Sequence, residues 1–95
     1  MPETLFLLHY DYVADILEKR TPHREGHLAA IARFHDEGKM VIGGATGDPV
    51  RGGLFVLRDP ADAEAFMAAD PYVAAGLVTA HRIEPWTVVT PLPGA

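Results

Sequence analysis

Four apolar runs and two stretches of helical periodicity follow one another in the order strand, helix, strand, strand, helix, strand, and no other feature of the chain restricts its fold so tightly. Thr4 to Tyr10 reads as a buried strand, with Phe6, Leu8 and Tyr10 on one face and Leu5, Leu7 and His9 on the other. Asp11 is placed to cap a brief helical turn through Lys19, in which Val13, Ile16 and Leu17 share a side. Thr21 before Pro22 is a helix-start signal and Gly38 a stop, which predicts a helix over residues 22–38. Winding it at 3.6 residues per turn puts His27, Leu28, Ile31, Phe34 and His35 on its buried side.

Met40 to Ala45 and Leu54 to Leu57 read as two strands of a hairpin, joined by turn formers from Thr46 to Gly53. Asp59-Pro60 then opens a second helix, whose Ala63, Phe66, Met67 and Asp70 share a side, and Pro71 drives Asp70 out of helical geometry. Val78 to Val89 supplies the last strand, interrupted or edged at Pro85. Right-handed crossovers through this order favour a ferredoxin-like βαββαβ α+β fold, a four-stranded antiparallel sheet with helices on one face.

A chain of 95 residues has room for one core, so a single domain over 1–95 is expected, with its core at 4–89 and a frayed tail at 90–95. A domain this small buries only about 60 to 65% of its unfolded surface. Its 48% hydrophobic content therefore predicts that another subunit covers part of the remainder. Eight Lys and Arg against thirteen Asp and Glu leave a net charge of -5, which repels nucleic acid and anionic lipid alike. The absence of cysteine removes disulfides, thiolate nucleophiles and Cys-based zinc sites. Leu5 to Leu8 is too short for a signal or membrane segment, so a cytoplasmic protein is expected.

The most informative residue is Asp70, a carboxylate on the apolar side of a helix at the end where the macrodipole disfavours negative charge. Either it caps the turn into Pro71 and Tyr72, or a cation or donor such as His27 on the facing helix offsets the cost. In the second reading Asp70 fixes the tautomer of His27 and leaves the other ring nitrogen free to take a proton. The alternative for His27 is a core histidine bonded to backbone.

His23 and His27 stand at helical i, i+4 spacing, but no third ligand is evident and no metal is expected. The run Gly43 to Gly47 lacks the lysine of a phosphate loop and leads toward a strand, so no cofactor is expected. Gly44 instead permits close approach of a ligand or partner subunit. Arg20 and Arg24, near His27 at the helix start, are candidates to receive an anionic ligand group. Tyr72 and Trp86 are suited to a pocket, an interface or plain core packing. Serine is absent, which excludes a Ser-His-Asp triad.

The segments Arg24 to Leu28, Gly43-Gly44, Ala69 to Tyr72, Ala75 to Leu77 and Glu84 to Trp86, in this order and spacing, resemble the YciI-like (YCII-related) family over roughly residues 4 to 89. The resemblance implies a ferredoxin-like subunit that pairs through its sheet as a homodimeric α+β barrel, with a His-Asp active site carried here by His27 and Asp70. It further implies a small-molecule enzyme acting by proton abstraction on a cyclic or aromatic oxygenated compound. Dehydrochlorination and muconolactone isomerisation are the reactions nearest to hand. The resemblance carries over only His27 and Asp70; Arg24, Gly44 and Tyr72 are expected as substrate contacts from the residues themselves. The alternative is a binding or accessory protein without catalysis. The approach Arg20 to His23 and the tail beyond Trp86 are longer than the family pattern.

Overall fold

The computed structural model describes residues 3–92. Its elements are β1 (Glu3–Tyr12), α1 (Ile16–Lys19), a 3-10 turn (Thr21–His23), α2 (Arg24–Asp36), β2 (Met40–Thr46), β3 (Gly52–Leu57), α3 (Pro60–Ala69), α4 (Pro71–Ala74) and β4 (Val78–Val88). The strands form one antiparallel sheet in the order β2-β3-β1-β4. Each long helix carries the chain over a neighbouring strand, from β1 to β2 and from β3 to β4, which is the ferredoxin-like α+β arrangement.

Alternation along the strands divides the sheet into two faces. On the covered face Leu8 and Tyr10 of β1, Phe55 and Leu57 of β3 and Met40 pack against Ala30 and Phe34 of α2 and Ala63, Phe66 and Met67 of α3. Each of the large side chains buried there contributes about 1.5 to 3 kcal/mol. The second face gathers Leu5, Val56 and Val88 with Leu7, Val41 and Leu92. It also carries Ile42 and Trp86, which are 59% and 45% exposed. Toward one end of this face the polar groups cluster. His9 Nε2 lies 2.6 Å from Glu84 Oε2, to which Arg82 donates at 3.0 Å.

Local chemistry sets most of the element ends. Asp59 accepts from the Ala61 amide at 2.8 Å and starts α3. Gly38 and Gly76, at φ of 77° and 75°, close α2 and α4 in paired backbone bonds such as Lys39 N–H to the Phe34 carbonyl.

Three expectations are corrected. Asp11 caps nothing, because β1 runs on through Tyr12 and pairs Asp11 with both Gly52 and Ala80. Thr21 opens the 3-10 turn instead of capping a helix, and α2 begins at Arg24 without a side-chain cap. Leu28 and His35 are exposed, since the stripe of α2 that meets the sheet is His27, Ala30 and Phe34, and both lie on its flank. Of the two readings of Pro85 the edge one holds: it sits opposite Phe6 within the edge strand β4, where a missing N–H is tolerated. Of the tail, Leu92 packs on the second face, and residues 93–95 lie outside the described part of the chain.

Candidate functional site

Pro71 holds Asp70 in extended geometry, at φ -83° and ψ 115°, so that α3 ends and α4 begins on the same residue. The carboxylate is wholly buried and every oxygen of it is used. Oδ1 accepts from the Tyr72 amide at 3.0 Å and pairs with His27 Nδ1 at 2.8 Å. Oδ2 accepts from the Tyr10 hydroxyl at 3.0 Å. The two readings of Asp70, turn cap and histidine partner, thus coexist in one side chain.

His27 reaches Asp70 because α2 and α4 come unusually close. A Cβ on Gly26 would stand 3.0 Å from the Pro71 ring, so a larger residue would push the helices apart. The imidazole then stacks flat on Tyr72, with centroids 3.8 Å apart and planes 4° from parallel, and meets Phe55 and Phe66 edge-on. In a neutral ring, an Nδ1–H directed at a carboxylate acceptor leaves Nε2 as the nitrogen that accepts.

A cleft of about 230 Å³ opens beside this ring. Gly43, Gly44 and Ala45 of the edge strand β2 form one wall, and Leu28 and Ile31 of α2 form another. Arg20 and Arg24 stand at the helix start, with Tyr12, Tyr72 and His27 completing the lining. Neither arginine makes an ion pair among the described residues. The structure therefore brings His27, Arg24, Gly44 and Tyr72 to one cleft, places Asp70 directly behind His27, and sends Trp86 to the other face of the sheet.

Burial pushes the Tyr10 phenol well above its usual range, and the Asp70 charge and hydrogen bond push it further. Burial likewise raises the Tyr12 phenol, with Asp70 and Tyr72 adding to it and Arg20 and Arg24 opposing. Both phenols are hydrogen-bond donors at neutral pH. Tyr10, Tyr12 and Gly26 were not evident from the residues alone. The available signals were the Tyr10 phenol on an apolar strand face, which needs a polar partner, and a glycine inside a helix; Tyr12 lay beyond the expected strand. Among the described residues no group of three or more His, Cys, Asp or Glu side chains could hold a metal. No helix among them is long and apolar enough to cross a membrane.

Known proteins share both the sequence pattern and the fold. The protein named YciI of Escherichia coli O6:H1 (strain CFT073) and that of Shigella flexneri are each 33% identical to the chain over 96 residues, covering 90% of it and 98% of their own length. Among solved structures, 5-chloro-2-hydroxyhydroquinone dehydrochlorinase (TftG) from Burkholderia phenoliruptrix AC1100, in complex with 2,5-dihydroxybenzoquinone, superposes with a TM-score of 0.71. It is 25% identical and the match covers 87% of this chain and 93% of that one. The YCII-related domain matches residues 4–87, nearly the whole of the described chain, and with relatives at this level of identity the chain belongs to the YCII-related family.

Proposed function

We propose that the chain is an enzyme in which His27 removes a proton from a small cyclic or aromatic, oxygenated substrate, leading to elimination or isomerisation. The observation that carries this reading is the 2.8 Å bond from His27 Nδ1 to a fully buried carboxylate, in a ring whose other nitrogen is left to the cleft. A base so held has one tautomer and one orientation. Asp70 does not line the cleft; it is a positioning residue that stabilises the imidazolium once the proton has moved. In an elimination, the bonding pair that the departing proton leaves on the substrate forms the new double bond as the leaving group departs with its own pair. In an isomerisation the imidazolium returns the proton at a second atom. Arg24, with Arg20, attracts an anionic oxygen of the substrate, Gly44 presents its backbone along the β2 wall, and Tyr72 backs the imidazole.

The dehydrochlorinase among the similar structures supports the elimination arm. Chloride release from 5-chloro-2-hydroxyhydroquinone and isomerisation of muconolactone are the assays to run. His27→Ala and Asp70→Asn should each lower turnover at least about 100-fold, the usual worth of a positioned base, while far-UV circular dichroism stays unchanged. An unaltered rate in either variant overturns the mechanism. Binding without turnover, by contrast, is the reading that follows if ligands raise the melting temperature and no product forms.

The second face of the sheet supports a homodimer. Leu7, Leu54, Ile42 and Trp86 project from it, and no helix among the described residues covers them. Two such sheets packed face to face form a dimeric α+β barrel. Ile42→Glu should turn a sedimenting dimer into a monomer, and a wild-type chain that sediments as a monomer rejects the assembly.

A further inference from the structure

Tyr12 is the last residue of β1, and strand alternation puts it on the covered face with Leu8 and Tyr10. Regular pairing with β4 breaks between Asp11 and Tyr12, and the Tyr12 amide turns instead to the Arg51 carbonyl at 2.9 Å. Such irregularities re-aim side chains at the ends of strands. The ring is wedged edge-on between Tyr10 and Tyr72, with centroids 5.9 and 5.8 Å away. Its hydroxyl lies over Gly53, where an added Cβ would stand only 2.9 Å from the oxygen. A glycine at 53 leaves room for the hydroxyl and for the edge of the Phe55 ring, which the same Cβ would meet at 3.0 Å.

This hydroxyl has no hydrogen-bond partner among the described residues. The neighbouring Tyr72 hydroxyl, which is buried, has none either. Two phenols without partners and two guanidinium groups without ion pairs thus stand along the cleft that His27 also lines, donors that no acceptor among the described residues engages. Polar groups so placed are satisfied by whatever enters.

We propose that Tyr12 is a substrate-contacting residue, its hydroxyl donating a hydrogen bond to an acidic oxygen of the molecule held against His27. This rests on the reading of the cleft as the site of an oxygenated substrate. Arg20 and Arg24 favour the same oxygen as an anion, while the phenol, kept protonated by burial, donates to it at a fixed point. A fixed donor selects ligands that carry an oxygen there over analogues that carry carbon.

4-Nitrocatechol, whose visible absorption reports its ionisation, is a suitable probe. Titrating it into the wild type and into Tyr12→Phe, Arg20→Gln and His27→Ala should show the Tyr12 variant binding about tenfold more weakly or worse, as for a lost bond to a charged acceptor. Its melting temperature should match the wild type, since only an oxygen is removed. Unchanged affinity in Tyr12→Phe, with affinity lost in Arg20→Gln, overturns the role of Tyr12 and leaves the cleft standing. A wild type that does not bind the probe, or binds it indifferently to all of these substitutions, overturns both.

Discussion

Two histidine–carboxylate pairs occupy opposite faces of one sheet, and the shorter of them is the less consequential. His9 and Glu84 approach to 2.6 Å on the second face, with side chains 29% and 43% exposed. His27 and Asp70 stand 2.8 Å apart, with side chains 6% and 0% exposed. At the outer pair water competes for every donor, and ion pairs of this kind contribute little. At the inner pair the carboxylate has lost its water entirely and replaced it with three protein donors, so each becomes hard to remove. The difference lies in desolvation and in the number of converging donors. Contact distance does not rank the two.

Substitutions can break this contrast from its strongest side to its weakest. Asp70→Ala leaves His27, Tyr10 and the Tyr72 amide without an acceptor in a dry core, and should cost about 3 to 5 kcal/mol in urea unfolding. That is much of the roughly 5 to 10 kcal/mol available to a domain of this size. Tyr10→Phe removes one of the three donors and should cost about 1 to 2 kcal/mol by the same measurement, with no change in secondary structure. Gly26→Ala sets a gain in helix propensity against a clash with the Pro71 ring, and a net loss of about 1 kcal/mol is expected. Stabilisation of this variant would mean that α4 can retreat without disturbing the pair.

Glu84→Gln is the smallest perturbation and should leave the melting temperature at pH 7 within error. Hydrogen bonds from Arg82 and His9 hold the Glu84 carboxyl below its ordinary range. Its contribution is therefore present above the ordinary carboxylate value and fades as pH falls through the lowered one. Any gap between Glu84→Gln and wild type should close on acidification. A gap at pH 7 as wide as that of Tyr10→Phe would erase the distinction between the two faces.

The fold was legible in the residues because its boundaries are chemical. Asp59-Pro60, Gly38 and Gly76 end or begin elements through bonds that any chain would form, and the strand–helix order then leaves few topologies. Asp70 was legible because a carboxylate on an apolar face demands an explanation. Leu28 and His35 were misplaced for a tertiary reason: helical periodicity gives the direction of a side chain but not where the underlying sheet stops and a cleft begins. Tyr12 and Gly26 escaped because their meaning lies in distant contacts, with Gly53 and Pro71, that no local pattern encodes.

The single oxygen that aims the imidazole also receives the first amide of the following turn, at Tyr72. On the proposed mechanism, architecture and reactivity draw on the same atom. A descendant that abandoned proton transfer would still require an acceptor at position 70 to keep its chain reversal, whereas nothing in the backbone obliges it to keep an imidazole at 27. Persistence of the aspartate across kin would thus record folding, and persistence of the histidine would record use.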